Sequence, residues 1–250
     1  MGKIQRARPG ASLLRLASVV RTDALLALLV AVSAFALYLR TLAPGLLGGD
    51  SGELQFAAWL AGLAHPTGYP LYLALGHLWS RLLPFGDPAW RMNLFSALWG
   101  ALAVGLVYLL ALRVLHAAAG VNAKPPCGTG DETHQVPGTS EVPGTWWAVF
   151  RAVARDWNAR LSALFAALAF AVTPTFWSQA LIAEVYTLHA VFVAALLLGL
   201  VAWADRPAER RTARGLYWIA ALYGLSLTHH RTMLLLLPAI GVFLWWTGSA

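Results

Sequence analysis

Six apolar stretches run through the sequence, and they constrain its fold more than any other feature. A helix that crosses the hydrocarbon core of a bilayer needs about 20 apolar residues, and these stretches reach or approach that length. Only helices and closed barrels satisfy every backbone hydrogen bond inside a bilayer. The sequence therefore predicts an all-α, polytopic bundle of about six transmembrane helices. The stretches cover residues 24–39, 92–112, 161–179, 186–204, 215–228 and 232–247.

The overall composition supports this class of protein. Hydrophobic residues make up 59% of the 250 residues, charged residues only 12%, and the mean hydropathy is +0.62. A soluble domain would carry about 25% charged residues. The net charge of +7 does not indicate nucleic-acid binding, because the basic residues lie at the ends of apolar stretches. The single cysteine, Cys127, excludes an intrachain disulfide and a cysteine-based zinc site.

The first half of the chain combines a basic terminus with two transmembrane helices. Residues 1–23 form the basic N-terminus, and residues 24–116 hold the first two helices, with an outer loop at residues 41–91 between them. Within this loop, residues 54–64 and 71–83 are apolar but too short to cross the bilayer. We expect these two segments to form juxtamembrane helices.

A linker separates this half from the rest of the chain. Residues 117–160 contain the tetrapeptide Val-Pro-Gly-Thr twice, at residues 136–139 and 142–145. We expect the linker to be partly disordered, because residues 117–145 contain no apolar run that could build a core. Residues 161–250 then provide the four remaining transmembrane helices.

The distribution of basic residues predicts the orientation of the chain. With a cytoplasmic N-terminus, all but four of the 18 Lys and Arg residues face the cytoplasm, as the positive-inside rule requires. The outer face would be the periplasm for a bacterial inner-membrane protein, or the lumen for a protein of the endoplasmic reticulum. This orientation brings ionisable residues of several loops to one outer end, and ionisable residues at membrane depth are usually functional. The four exceptions on the outer side are Arg40, Arg81, Arg91 and Arg231.

Two carboxylates, Asp50 and Glu53, occupy a glycine-rich segment of the outer loop. Their i, i+3 spacing places both on one face of a helix. We predict that Asp50 is a general base and Glu53 its partner. Alternatively, Asp50 caps a helix and Glu53 reaches back to it, as in a capping box, and the two interpretations are compatible. Gly48, Gly49 and Gly52 would let a substrate approach the backbone closely.

Further polar and aromatic residues of the outer region are predicted to contact substrate. His65 and Tyr69 belong to the segment His65-Pro-Thr-Gly-Tyr-Pro70, whereas Glu184 and Tyr186 lie between the third and fourth apolar stretches. Simpler interpretations stay open. His65 would then be part of a helix break, Tyr69 part of the interfacial aromatic belt, and Glu184 a solvated loop acid.

Four cationic residues are predicted to bind a phosphate. His229, His230 and Arg231 interrupt the last two apolar stretches, and Arg91 precedes the second. Guanidinium and imidazole groups suit an anionic phosphate. The alternatives are a structural turn and arginines that reach to the interface. Adjacent histidines point to different sides of a helix, so we predict no metal ligands, and a requirement for a divalent metal is left open.

Four ordered motifs resemble the signatures of the protein O-mannosyltransferase-like membrane proteins, a family of the GT-C glycosyltransferase superfamily. The similarity extends over residues 24–247 apart from the linker. The motifs are Gly49-Asp-Ser-Gly-Glu53, His65-Pro-Thr-Gly-Tyr-Pro-Leu-Tyr72, Trp90-Arg-Met-Asn-Leu-Phe-Ser-Ala-Leu98 and Ala183-Glu-Val-Tyr-Thr-Leu-His189.

The resemblance implies a GT-C-like fold whose first outer loop carries two juxtamembrane helices and the catalytic acid, which corresponds to Asp50. It also implies a polyprenyl-phosphate sugar as donor and an acceptor hydroxyl, on a protein Ser or Thr or on a glycan, with inversion by single displacement. Family members usually continue with more transmembrane helices and often a soluble C-terminal domain. We therefore expect the 250-residue chain to be a fragment or a short form.

The leading functional prediction is an integral membrane glycosyltransferase whose partners are the bilayer, a lipid-linked sugar and an acceptor. Two other classes stay open from the residues alone. In a lipid or solute transporter or flippase, the same acids would bind protons or a headgroup. The chain could also be an inactive accessory subunit of a glycosylation complex. Inverted repeats would favour a transporter, and the sequence shows only the tandem tetrapeptide of the linker.

Overall fold

The computed structural model describes residues 9–66, 68–118 and 145–248, with side chains from residue 20 in the first range and from residue 156 in the last. Every regular element in these ranges is helical, as predicted. Short 3-10 helices lie at Ala208–Arg210 and Arg231–Leu236. The α-helices are α1 (Pro9–Thr41), α2 (Gly49–Leu60), α3 (Pro70–Leu82), α4 (Pro88–Ala118), α5 (Thr145–Ala171), α6 (Pro174–Ala180), α7 (Tyr186–Ala204), α8 (Ala213–Leu227) and α9 (Leu237–Gly248).

Four helical segments in the described residues are long and apolar enough to cross a membrane. They are Val20–Thr41 of α1, the whole of α4, the whole of α7, and Arg231–Gly248, which joins the second 3-10 helix to α9. Helices α5 and α6 pass the same test only as a pair, and the chain bends by 66° between them. The bend falls at Pro174, which lacks the backbone donor that would continue α5. The sequence predicted about six transmembrane helices. In the described residues, four helical segments could cross a membrane, or five if the bent pair forms one span.

Helix α8 corresponds to the predicted span at residues 215–228, but it is too short to cross the hydrocarbon core. Its 15 residues cover about 22 Å, whereas the hydrocarbon core measures about 30 Å. The helix nevertheless connects the two ends of the bundle. Just before it, the indole of Trp203 donates to the carbonyl of Thr212 at 3.3 Å, and just after it, Nε2 of His229 lies 2.9 Å from the carbonyl oxygen of Val185. Val185 and Trp203 lie at opposite ends of α7, so α8 returns the chain from one end of α7 to the other.

Helix α4 forms the centre of the bundle, packed against α1, α5 and α7. Small residues permit the close approach of its neighbours, as in many membrane bundles. A Cβ atom on Gly105 would lie 3.1 Å from the carbonyl oxygen of Ala27 in α1. A Cβ atom on Gly100 would lie 3.1 Å from that of Ala180 at the end of α6. These two glycines therefore let α1 and the end of α6 pack closely against α4.

Both predicted juxtamembrane helices are present as α2 and α3. Helix α2 begins at Gly49, five residues before the apolar segment that predicted it, so the helix includes both acids of the loop. Helix α5 begins at Thr145, inside the predicted linker. The expected disorder of the linker concerns mainly residues 119–144, which lie outside the described residues.

The buried side chain of Asn93 in α4 joins three separate parts of the chain. Its Nδ2 group donates to the carbonyls of Ala43 and Gly45 at 3.0 and 3.2 Å. Its Oδ1 atom accepts from the side-chain amide of Gln55 at 2.7 Å and from the backbone N–H of Ala183 at 2.9 Å. The amide thereby uses its full hydrogen-bonding capacity. It fixes the α1–α2 connection, helix α2 and the α6–α7 connection to one point.

We predict that Asn93→Leu lowers the free energy of unfolding by at least about 2 kcal/mol, because several buried polar groups lose their partner at once. The measurement is thermal unfolding of the purified chain in detergent. Asn158→Leu makes the same chemical change at an exposed position of α5 and should stay within about 0.5 kcal/mol of the parent. Equal effects of the two substitutions would contradict the role given to Asn93.

Candidate active site

Helix α2 presents Asp50 from its first turn, where the positive end of the helix dipole stabilises a carboxylate. The side chain is exposed, and it makes no hydrogen bond or ion pair within the described part of the chain. Gly49 precedes it with φ +65°, a left-handed conformation that glycine adopts easily. A side chain on Gly52 would collide with the carbonyl oxygen of Leu47. The packing of the loop therefore requires a glycine at position 52, whether or not a substrate approaches the backbone there.

The capping-box alternative is wrong. The residue at the N-cap position is Gly48, which has no side chain with which to cap the helix. Glu53 binds His65 instead. One carboxylate oxygen of Glu53 accepts from the backbone N–H of His65 at 2.6 Å, and the other lies 2.9 Å from its Nδ1 atom. Glu53 therefore holds the start of the His65–Pro70 segment against α2.

The contact between Glu53 and His65 changes the titration of both groups. The side-chain hydrogen bond is the main cause that lowers the pKa of Glu53 and raises the pKa of His65. Both groups are partly exposed, so solvent screens the pair. The contribution of Glu53 to stability is lost as the pH falls through its lowered pKa. The contribution of His65 is lost as the pH rises through its raised pKa, so the pair is complete between these two values.

Asp50 lies beside this pair. One potential ligand atom from each of Asp50, Glu53 and His65 lies within 4.8 Å of the others. Among the described residues, this is the one such group of three that could reach a common metal ion. The geometry does not require an ion, because Glu53 and His65 already satisfy each other.

A row of aromatic rings leads from His65 to the turn that follows α8. The ring of Tyr69 lies 5.5 Å from that of His65 and 5.7 Å from that of His230, measured between centroids. The ring of His230 lies 4.9 Å from that of His189 and 6.1 Å from that of Tyr186. The structure thus brings together four residues that the sequence predicted to contact substrate, namely His65, Tyr69, Tyr186 and His230.

Tyr69 holds its place in this row with a strained backbone. Its φ of +41° is left-handed, which costs a residue other than glycine about 1–2 kcal/mol. Pro70 follows and begins α3, and Gly68 precedes with φ +82°. The two consecutive left-handed residues place the ring of Tyr69 between His65 and His230. Strain of this kind concentrates at functional sites.

Glu184 approaches Asp50 from the α6–α7 connection. Its carboxylate accepts from the hydroxyl of Ser51, the neighbour of Asp50, at 3.1 Å. Ser96 of α4 fixes its backbone, because the hydroxyl accepts from the N–H of Glu184 at 3.1 Å and donates to its carbonyl at 3.3 Å. Burial raises the pKa of the Glu184 carboxyl, and the charge of Asp50 raises it further. Ser51 and Ser96 were not predicted as site residues, although both lie within the four motifs.

His229 lies beneath this site and is buried. A carbonyl can only accept, so the His229 Nε2 group that faces Val185 carries a proton. Burial lowers the pKa of His229 to about 4, which leaves the ring neutral at physiological pH. The one N–H of the neutral ring is already used, so His229 has no donor left for a phosphate. Its contact instead joins the turn after α8 to the backbone beside Glu184.

His230 and Arg231 differ from His229 in their surroundings. The Nδ1 atom of His230 accepts from the hydroxyl of Thr232 at 2.7 Å and from its backbone N–H at 3.3 Å, which leaves Nε2–H as a donor. Burial lowers the pKa of His230, and the charge of Arg231 lowers it further. The Arg231 side chain is exposed and has no hydrogen bond or ion pair within the described residues.

Arg91 lies apart from this group. Its guanidinium donates to the carbonyls of Ser80, Phe85 and Gly86 at 2.6, 3.0 and 3.1 Å, and it thereby closes the connection between α3 and α4. Among the described residues, Arg91 forms no ion pair with an acid of the site.

Residues 50–250 match the family described as "Protein O-mannosyl-transferase TMEM260 N-terminal domain". The chain belongs to this family. It is 29% identical over 211 residues to "Protein O-mannosyl-transferase TMEM260" of Mus musculus, which covers 84% of this chain and 24% of the mouse protein. It is 37% identical over 83 residues to the Dictyostelium discoideum protein of the same name, which covers 32% of this chain and 10% of that protein. No solved structure matches the chain.

Membership in the TMEM260 N-terminal family confirms the resemblance that the four motifs indicated. The region matched to the family begins at Asp50 and contains all the residues of the candidate site. Together with the four apolar helical segments, it identifies the chain as a multi-pass membrane protein. The chain spans about a quarter of the mouse relative, 24% of its length.

We predict that Glu53→Gln lowers the pKa of His65 towards its ordinary value, because the substitution removes the hydrogen-bonded carboxylate. The measurement is an NMR titration of the His65 ring in the parent and in the variant. Glu184→Gln, which removes a more remote charge, should shift the His65 midpoint less. An unchanged midpoint in Glu53→Gln would contradict the observed pairing.

Proposed function

We propose that this TMEM260-type domain carries the catalytic site of a membrane glycosyltransferase. The reaction would transfer a sugar, with mannose as the first choice because both named relatives are called protein O-mannosyl-transferases. The donor would be a polyprenyl-phosphate sugar, and the acceptor a hydroxyl such as that of a protein Ser or Thr. The observation that carries the proposal is the position of Asp50, an exposed carboxylate that has no partner within the described residues and lies beside the paired side chains of Glu53 and Glu184.

Asp50 is the proposed general base. The acceptor hydroxyl would give its proton to the Asp50 carboxylate while its oxygen forms a bond to the anomeric carbon of the donor. The bond between that carbon and the phosphate oxygen breaks, and the phosphate leaves with the electron pair, with inversion at the carbon. General-base catalysis contributes about 10²–10⁴-fold in rate.

Arg231 and His230 are the proposed ligands of the leaving phosphate. The guanidinium of Arg231 is exposed and unpaired within the described residues, and the Nε2–H of His230 is free to donate. Donors that are already in place when charge develops on the leaving group lower the barrier of the reaction. A backbone carbonyl accepts the one N–H of His229, and backbone carbonyls accept from Nε and Nη1 of Arg91, so we give both residues a structural role.

The aromatic row and Glu184 are the proposed contacts of the sugar. The rings of His65, Tyr69 and His230 lie next to one another, and the C–H groups of a sugar could pack against them. Glu184 supplies a carboxyl group for the sugar hydroxyls on the side of Asp50. The orientation predicted from the basic residues would place this reaction on the periplasmic or lumenal face.

We predict that Asp50→Asn lowers the rate of sugar transfer by about 10²–10⁴-fold while the binding of the donor and the melting temperature stay close to those of the parent. The measurement is transfer from a polyprenyl-phosphate mannose to an acceptor peptide, in the chain length that supports turnover. Asp87→Asn is the matched control. The Asp87 carboxylate caps α4 by accepting from the N–H of Trp90 at 2.9 Å, and asparagine caps equally well.

The result separates the proposal from its alternatives. Parental turnover in Asp50→Asn would remove Asp50 as the base. A parent that binds the donor but transfers no sugar in any length of chain would favour the accessory-subunit interpretation. Translocation of the lipid-linked sugar across the membrane without transfer would favour a flippase.

A further inference from the structure

A second charged site lies at the end of the bundle opposite the candidate active site. The ends of α4 and α7 and the connection after α7 enclose a cleft of ≈ 700 Å³. Helix α7 leads from the candidate active site to this cleft over 19 residues, or about 28 Å. We refer to it as the arginine cleft, and it is lined by Arg113, Ala202, Asp205, Arg206, Pro207 and Arg210.

The side chains of the three arginines in the cleft make few polar contacts with the rest of the described residues. The side chains of Arg206 and Arg210 are exposed and make no hydrogen bond or ion pair within the described part of the chain. Arg113 has one long ion pair, in which its nitrogen lies 3.8 Å from a carboxylate oxygen of Asp205. Asp205 is the single acid of the lining, since the nearby Glu209 does not line the cleft. The cleft therefore keeps an excess of positive charge.

Arg211 in the same connection shows how an arginine with a structural role is bound. Its guanidinium donates to the carbonyls of Ala204, Arg206 and Thr247 at 3.0, 3.0 and 2.7 Å. It also lies over the ring of Trp203, 5.8 Å from the centroid. Arg211 thus ties the connection to α9. Within the described residues, no backbone group accepts from the side chains of the cleft arginines.

An apolar surface continues from the cleft. A second cavity of ≈ 360 Å³ shares Ala202 and Arg206 with it and extends to Trp218 and Ile219 of α8. Trp218 is 70% exposed. A ligand could place a charged group among the arginines and an apolar group along α8. This combination fits an amphiphile better than a soluble anion.

We infer that the arginine cleft binds the phosphate group of an anionic phospholipid, at the membrane face opposite the candidate active site. The planar guanidinium matches the oxygens of a phosphate with two parallel hydrogen bonds. Basic pockets between transmembrane helices on the cytoplasmic side bind anionic lipid headgroups in this way. The positive-inside rule explains why arginines are frequent at this end, but it requires neither a cleft nor a set of unpaired side chains.

The test is lipid binding to the purified chain in detergent, measured by native mass spectrometry. Phosphatidylglycerol is the anionic probe and phosphatidylcholine the zwitterionic control. We expect the parent to prefer phosphatidylglycerol, and Arg206→Gln/Arg210→Gln to bind it at least about tenfold more weakly. Arg206→Lys/Arg210→Lys should recover part of the loss, because an ammonium keeps the charge but not the fork. Melting temperatures of the variants check that they are folded.

Arg21→Gln is the control for non-specific attraction, because Arg21 is exposed on α1 at the same end of the bundle. It should bind phosphatidylglycerol like the parent. Equal losses in Arg21→Gln and Arg206→Gln, or no loss in the double variant, would overturn the site. Binding of inorganic phosphate that the double variant loses, without a preference for phosphatidylglycerol, would overturn the lipid assignment and identify a soluble phosphate ligand. None of these readouts depends on sugar transfer, so this inference and the proposed function can fail separately.

Discussion

The buried side-chain amide of Asn93 holds together the parts of the chain that form the candidate active site. Asn93 binds backbone groups of the α1–α2 connection and of the α6–α7 connection, and it also binds Gln55 of α2. Ser96 lies one helical turn further along α4 and fixes the backbone of Glu184. The polar face of the central helix therefore sets both the direction of α2 and the position of Glu184. The start of α2 and Glu184 lie side by side because α2 and the α6–α7 connection are both attached to α4 through these contacts.

The remaining parts of the site are attached to this frame by the acids and histidines of the loops. Glu53 secures the His65 segment, and His229 secures the turn after α8. These fixed contacts support the strained backbone of Tyr69, whose ring lies between the two segments. Among the described residues, the charged side chains of Asp50 and Arg231 have no such structural contact, and we propose that both take part in the reaction. The far end of the bundle is similar, because Arg211 is structural whereas Arg206 and Arg210 make no hydrogen bond or ion pair within the described residues.

Much of this architecture could be predicted from the sequence, because apolar length and charge asymmetry act locally. The helices that contain the long apolar stretches are present, and α2 and α3 follow the short ones. What the sequence did not predict depends on tertiary contacts. The capping-box alternative for Glu53 rested on its spacing, but the N–H groups of His65 bind its carboxylate instead. Arg91 and His229 carry the right groups for a phosphate, yet backbone carbonyls accept from Nε and Nη1 of Arg91 and from the one N–H of His229. Helix α8 is about as short as the apolar stretch 215–228 that predicted it, so the prediction of a span there rested on hydropathy and not on length.

The most direct test of the proposed site is an experimental structure of the protein with a non-hydrolysable polyprenyl-phosphate mannose analogue. The proposal predicts that the sugar lies against the row formed by His65, Tyr69 and His230. The phosphate should contact Arg231, and the anomeric carbon should face Asp50 across a gap that admits an acceptor hydroxyl. A donor phosphate bound in the arginine cleft, or a sugar turned away from Asp50, would contradict it.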